Sequence, residues 1–202
     1  MNLAILQARC SSSRFPGKIL APLLGQPMIL RQIERLQRTS RLDELVLATS
    51  NHPSDDPVEA LCRNEGIRCF RGSLDDVLDR FYGACEPWRP DQVVRLTGDC
   101  PLADPAVVDA VVDKHLREGN DYTSNTLEPS YPDGLDVEVL RFSCLEEAWR
   151  EATLPSEREH VCPYIWKNPG LVRLTGLRCR TDLSHLRWNV DEPRDLDFAR
   201  AL

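Results

Sequence analysis

The chain lacks a long apolar run, a paired-cysteine motif, an excess of positive charge and the usual phosphate-binding fingerprints. Each absence narrows its chemistry. A helix that crosses a membrane needs about 18 or more consecutive apolar residues, and nothing in the 202 residues approaches that. The N-terminus enters a strand-like stretch without a basic leader or cleavage site, so no secretion signal is expected. Eight cysteines are scattered with no CxxC pair, which argues against a zinc site; reduced thiols and a cytoplasmic setting are the expectation. Lys and Arg number 25 against 32 Asp and Glu, a net charge of −7 that argues against a general nucleic-acid surface. Neither GxxxxGK[ST] nor GxGxxG occurs. No internal repeat, low-complexity tract or linker divides the chain, and its size suits one well-buried domain, residues 1–202.

What is present is an alternation. Leu3–Leu6, Glu44–Ala48, Ile67–Phe70 and Gln92–Leu96 read as buried strands. Helical patterns follow them at Met28–Gln37, Pro57–Asn64, Leu74–Ala84 and Pro105–Leu116. Strands alternating with helices predict a mostly parallel sheet covered on both faces. Asp56-Pro57 and Asp104-Pro105 read as helix openings, Asp as cap and Pro as first helical residue. Beyond about residue 118 the pattern loosens. Strands are expected at Asp121–Asn125, Leu135–Leu140, Leu171–Leu174 and Leu186–Trp188, and helices at Cys144–Glu151, Arg158–Trp166 and Glu192–Leu202. Residues 1–118 thus read as a nucleotide-binding half and 119–202 as a substrate-shaping half.

The segment Gln7-Ala8-Arg9-Cys10-Ser11-Ser12-Ser13-Arg14-Phe15-Pro16-Gly17-Lys18 directly follows the first strand. Most loops of this composition are solvated turns. Here small residues let backbone N–H groups approach phosphate oxygens, and Arg9, Arg14 and Lys18 can neutralise a polyphosphate. Thr97-Gly98-Asp99-Cys100-Pro101-Leu102 places a carboxylate at the carboxyl end of a buried strand, where open α/β sheets bind ligands. Asp99 is therefore placed to hold Mg²⁺ against nucleotide phosphates. Cys10 and Cys100 read as small space-filling residues. Thr49 and Ser50 end the second strand, where a ribose or base could lie. After the third strand Gly72 permits close approach, Arg71 can reach a base edge or a phosphate, and Ser73 adjoins them. Asp75, Asp76 and Asp79 read as the acidic first turn of a helix. Ser124 and Asn125, with Tyr131, Asp133, Asp136 and Glu138 around a Pro/Gly turn, can hydrogen-bond a hydroxylated substrate. Ser156-Glu157-Arg158-Glu159-His160 reads as a capping box, with Ser156 as cap. Asp191 reads as the cap of the last helix and Asp195 as helix surface.

Taken together, the opening loop resembles the A-R-x-x-S-x-R-x-P-G-K signature of the sugar-activating cytidylyltransferases, and Gly98–Leu102 resembles their G-D-x-P-L motif. Ser124-Asn125-Thr126, Tyr131–Glu138, Ser156–His160 and Leu183–Pro193 resemble the SpsF-like branch of that family rather than its octulosonate or sialic-acid members. The resemblance spans essentially the whole chain. It implies a three-layer α/β/α sandwich of the nucleotide-diphospho-sugar transferase (GT-A-like) type, a mostly parallel sheet with one reversed strand.

The same resemblance implies a CTP-dependent enzyme of surface-glycan biosynthesis. An acceptor oxygen would attack the α-phosphorus of CTP and release pyrophosphate. Arg9, Arg14 and Lys18 would act on the triphosphate, and Asp191 would join Asp99 as the second Mg²⁺ carboxylate. Gln7, Ala8, Ser12, Ser13, Thr49, Ser50, Arg71, Gly72, Ser73, Thr97 and Gly98 would hold the nucleotide. Ser124, Asn125, Tyr131, Asp133, Asp136, Glu138, Glu157 and His160 would hold a small hydroxylated or acidic acceptor. A homodimer is a further expectation, and no residue is assigned as general base. The alternatives are a glycosyltransferase on the same fold and a non-catalytic nucleotide-binding subunit. The first would normally carry a D-x-D motif, whose nearest match, Asp133–Asp136, has the wrong spacing.

Overall fold

The computed structural model describes residues 1–168, 170 and 172–202. Its frame is a seven-stranded sheet. In chain order the strands are β1 (Asn2–Gln7), β4 (Glu44–Ser50), β5 (Arg68–Gly72), β6 (Gln92–Thr97), β7 (Tyr122–Ser124), β8 (Glu138–Arg141) and β9 (Leu174–Gly176), in spatial order β5-β4-β1-β6-β8-β7-β9. The short strands β2 (Pro22–Leu23) and β3 (Gln26–Pro27) form a separate ribbon. Only β8 runs against its neighbours β6 and β7; the other sheet pairings are parallel. This is the expected sandwich with one reversed strand.

Period-two alternation explains the two faces. On β1, Ala4 and Leu6 enter one core and Leu3 and Ile5 the other. The first core is covered by helices α1 (Met28–Leu36), α2 (Asp56–Asn64), α4 (Pro105–Glu118) and α8 (Pro193–Ala201). The second is covered by α3 (Val77–Cys85), α5 (Phe142–Glu151) and α7 (Pro163–Lys167). Helix α6 (Pro155–His160) is tied to α3 by Arg158, whose Nη2 donates to Asp76 Oδ2 at 2.6 Å.

Several local expectations are corrected. Helix α2 is opened by Asp55 rather than Asp56, and α3 starts at Val77 because Asp76 caps it by accepting from Asp79 N. The helix expected over Arg158–Trp166 is two helices, broken at Val161 with φ 70° and again by Pro163. Ser156 is not a cap; Leu154 precedes α6 and no side chain caps it. Residues 135–137 do not join β8, since the Asn125 side chain bonds that segment instead. Leu186–Trp188 forms a single bridge, Asp133 to Arg187, and no strand. Of the strand expected at 171–174, Leu171 lies outside the described residues and regular pairing begins at Leu174.

Candidate active site

The carboxyl ends of β1 and β6 open into a cavity of about 360 Å³. Close approach of the two strand ends demands glycine at position 98. A Cβ there would lie 2.8 Å from Ala8 Cβ and 3.0 Å from Gln7 O, while Gly98 N donates to Gln7 O at 2.7 Å. The loop after β1 is anchored from below. Cys10 N donates to the buried Asp55 at 2.7 Å, and Gly17, at φ 73°, turns the chain so that its N–H returns to Cys10 O. Within this loop the N–H groups of Ser11, Ser13 and Arg14 have no acceptor among the described residues. Unpaired backbone donors beside Arg9, Arg14 and Lys18 are suited to an anion.

Asp191 reaches Asp99 by a chain of contacts. Gly134, at φ 105°, lets the turn after Tyr131 press against the returning segment; a Cβ would fall 2.5 Å from Asn189 N. Trp188 N donates to Asp133 O, and Val190 N donates to Asp99 O at 2.7 Å. Asp191 is therefore delivered beside Asp99. Lys18, only 7 % exposed, bridges them: its Nζ lies 3.0 Å from Asp99 Oδ2 and 2.9 Å from Asp191 Oδ1. Arg14 Nη2 binds the other Asp191 oxygen at 2.8 Å. Burial works to raise the Asp99 pKa, but the Lys18 charge and its hydrogen bond, aided by Thr97, prevail and hold the carboxyl below its ordinary range.

Asp191 is not the cap of α8. Glu192 is, in a capping box completed by Asp195, which accepts from Asp191 N at 3.0 Å and Glu192 N at 2.8 Å and pairs with Arg187. The reading of Asp195 as helix surface is corrected: its side chain is 12 % exposed and orients the backbone of Asp191. Its partner Arg187 lies eight residues upstream, so local sequence gave no signal for it.

Of the residues expected at the site, Gln7, Ala8, Arg9, Ser12, Ser13, Arg14, Lys18, Thr97, Gly98, Asp99, His160 and Asp191 all line this cavity. Arg71 does not. Its guanidinium is spent on Asp56 at 2.7 Å and Glu59 at 2.9 Å, both on α2, and on the carbonyls of Ser50 and His52. Thr49 and Ser50 are fully buried, and Ser50 is held by Asp55. Gly72 serves packing, since a Cβ would meet Arg80 and Phe70 at 3.0 Å, and Ser73 Oγ accepts from Asp76 N ahead of α3. Ser124 bonds Thr126, and Asn125 staples the 135–137 segment through Leu135 O and Val137 N. Glu157 is buried in α6 away from the cavity lining.

Tyr131, Asp133 and Asp136 lie outside the lining, and the two aspartates are close enough to the acidic pair to register it. Burial, then Asp191 and Asp99, raise Asp133; burial, then Asp133, Glu138 and Asp99, push Asp136 up to about 6. Burial and neighbouring Cys179 raise Tyr131. Glu138 is consumed internally: Tyr122 OH donates to Oε1 at 2.5 Å and Arg95 pairs with Oε2. Arg95 and Glu159 line the cavity without having been singled out from the sequence.

Two hard oxygen donors from distant segments thus already share one cation. No set of three or more His, Cys, Asp or Glu that could hold a metal exists among the described residues. A divalent ion here would take Asp99 and Asp191 and complete its shell with phosphate oxygens and water, the habit of Mg²⁺ rather than of structural zinc.

A sheet of this order, with an anion-receptive loop and paired carboxylates at its carboxyl edge, has the architecture of a nucleotidyltransferase. The model of the cytidylyltransferase family matches residues 3–198, and the chain belongs to that family of enzymes. It is 36% identical over 207 residues to the spore coat polysaccharide biosynthesis protein SpsF of Bacillus subtilis (strain 168), covering 99% of this chain and 85% of that one. A solved cytidylyltransferase of Leptospira borgpetersenii superposes with a TM-score of 0.94 at 31% identity, over 99% of this chain and 85% of the other. A CMP:2-keto-3-deoxy-manno-octonic acid synthetase solved in complex with CTP shares the fold, with a TM-score of 0.73 at 20% identity over 99% and 97% of the two chains.

Proposed function

We propose that this enzyme transfers the cytidylyl group of CTP to an oxygen of a small acidic sugar-like acceptor, with pyrophosphate as the leaving group. The observation that carries the reading is the Lys18 bridge between Asp99 and Asp191, beside a loop of free N–H donors. Arg9, Arg14 and the loop N–H groups receive the triphosphate and stabilise charge that grows on the leaving pyrophosphate. Lys18, released from one carboxylate, neutralises the α-phosphoryl oxygens. Asp99 and Asp191 hold Mg²⁺, which when bound would polarise phosphate and favour ionisation of the attacking hydroxyl. Asp195 and Arg187 keep Asp191 in register. Likeness to SpsF supports a role in surface polysaccharide assembly, and membership of the family supports CTP as the nucleotide. Residues 1–118 then serve chiefly the nucleotide and 119–202 the acceptor. The reaction takes place in the cytoplasm.

The test is pyrophosphate release with CTP, UTP, ATP and GTP against sugar acids, sugar phosphates and phosphonates. Turnover with CTP and an acidic acceptor, lost in EDTA, is expected; turnover with UTP alone, or unaffected by EDTA, overturns the reading.

A further inference from the structure

Arg71 on β5 sets a register that extends beyond its own ion pairs. Its Nη2 meets Asp56 at 2.7 Å and its Nη1 meets Glu59 at 2.9 Å, both on α2. Side chains alternate along a strand, so Cys69, two residues before Arg71, faces the same helix. On α2, Cys62 lies about one turn beyond Glu59. The chain reverses between the two elements, where Ile67 N donates to Cys62 O at 2.8 Å, so the end of α2 lies over the start of β5. Cys62 is accordingly buried in the core that α2 covers, and Cys69 packs half-buried against that core. The Cys62 thiol donates its hydrogen to the Cys69 sulfur.

This contact divides the two sulfurs by role. The shared hydrogen bond, ahead of burial, raises the Cys62 thiol. The same bond lowers the Cys69 thiol, against burial and Glu59 and with help from Arg71. Cys10, half-buried like Cys69, is instead pushed up to about 11 by burial and Asp55. The groups acting on Cys100, Cys144 and Cys162 are carboxylates, hydroxyls and arginines, with no second thiol among the described residues. Neither Cys62 nor Cys69 lines the active-site cavity. Yet α2 bears on that site: Asp55, which opens the helix, accepts from Cys10 N at 2.7 Å and from Ser50 N at 3.1 Å.

We propose that Cys62 and Cys69 form a modification site, a dithiol that peroxide closes into a disulfide joining α2 to β5. The Cys69 thiolate attacks one peroxide oxygen. An S–O bond forms, the O–O bond breaks, and the departing hydroxide takes up the proton that Cys69 released. The Cys62 sulfur then attacks the Cys69 sulfur, so that S–S forms as S–O breaks, and the Cys62 proton leaves with the second hydroxide as water. Each sulfur loses one electron and the peroxide gains both. A dithiol reductant reverses the closure. Stapled at its last turn, α2 holds Asp55, and with it the root of the catalytic loop, more firmly.

The experiment treats the full chain with hydrogen peroxide at neutral pH, blocks the remaining thiols with iodoacetamide and maps tryptic peptides without reduction. Arg63 and Arg68 separate the two cysteines, so the cross-link appears as Leu42–Arg63 joined to Cys69–Arg71. This should be the dominant disulfide, and Cys69 should react at least about tenfold faster than Cys10. In Cys62→Ala, dimedone, a trap for sulfenic acid, should label Cys69; in Cys69→Ser it should leave Cys62 unlabelled. The oxidised chain should melt about 5 °C or more above the reduced one and lose that gain in dithiothreitol. Mapping the wild-type protein decides the pairing even where a variant fails to fold. A dominant disulfide between other cysteines, a Cys69 no faster than Cys10, dimedone on Cys62 rather than Cys69, or a cross-linked chain that melts no higher than the reduced one would overturn the assignment.

Discussion

The two edges of the central sheet are made by the same strands and treat charge in opposite ways. At the amino edge charges near β1, β4 and β6 find local partners. The N-terminal amine pairs with Asp91, Arg68 with Glu44 at 2.9 Å, and Asp43 accepts from Asn2 N at 2.6 Å. The cavity there is larger, about 540 Å³, and its wall is mainly the ends of α1 and α2 and the loop to β4; its carboxylates, Asp43, Glu44 and Glu65, share no buried cation of the kind Lys18 supplies, among the described residues. At the carboxyl edge a buried ammonium, two carboxylates and an arginine, brought from distant segments, are gathered into one paired cluster beside a loop with unpaired N–H groups. Size does not locate the site. Converging buried charge does, because ionisable groups gathered in a cleft perturb one another and mark functional sites.

The contrast is broken most severely at Lys18. Lys18→Met should reduce turnover about a hundredfold or more by removing charge stabilisation from the transition state. It should also destabilise the metal-free protein by about 3–5 kcal/mol, since two part-buried carboxylates lose their shared cation. Arg68→Ala at the other edge should change stability by no more than about 0.5 kcal/mol and leave turnover intact. Urea unfolding and steady-state rates on the two variants compare the edges directly; similar losses would erase the distinction.

Gly134→Ala comes next. Its Cβ would meet the Asn189 backbone at 2.5 Å, and φ 105° is unfavourable to alanine. Overpacking and strain should cost about 1–3 kcal/mol. Because the displaced segment carries Asp191, kcat should fall by more than this stability loss explains. An unchanged kcat would mean that Asp191 is positioned by some other route.

Asp195→Ala should cost about 1–2 kcal/mol through loss of the α8 capping box and the Arg187 pair. Its sharper signature is kinetic: kcat falls while the Km for the acceptor holds. The same loss in Asp197→Ala, on the exposed side of α8, would remove Asp195 from the site.

The smallest effects are in pH. At the carboxyl edge Asp136 is pushed up to about 6 by burial and neighbouring carboxylates. The fold therefore holds that proton more tightly than the unfolded chain does. Its contribution is favourable below the ordinary carboxyl range near about 3.9 and is lost as pH rises through about 6. Asp136→Asn should accordingly raise the Tm at pH 8 and not at pH 4. At the other side of the sheet His115, bonded to Gln92 and Thr123, is lowered to about 4 by burial. Its contribution is present above about 6.5 and lost as pH falls through about 4. NMR titration of the two residues, near 6 and near 4, checks both signs.

The strands and helices of the first half were legible because each carries its own period. The opening loop and the G-D turn were legible because their chemistry is contiguous in sequence. Arg71 was misread because Asp56 and Glu59, which claim it, stand on a helix that local reasoning treated as separate. Ser124, Asn125 and Glu138 are expected at the acceptor, yet Ser124 bonds its near neighbour Thr126, Asn125 staples the 135–137 segment and Glu138 holds Tyr122 and Arg95, and the last two commitments only the fold reveals. Arg95 had a readable signal that went unused: an arginine inside the apolar strand Gln92–Leu96 must be paid for by a partner or a ligand.

Whether Asp99 binds the nucleotide through Mg²⁺ is decided by calorimetric titration of CTP, with and without the metal, into the wild-type protein and Asp99→Asn. CTP should bind the wild-type protein with Mg²⁺ and lose at least about tenfold in affinity, equal to about 1.4 kcal/mol, either when Mg²⁺ is removed or when Asp99 is neutralised. Binding that is indifferent to both changes would contradict an account built on the carboxylates of this edge.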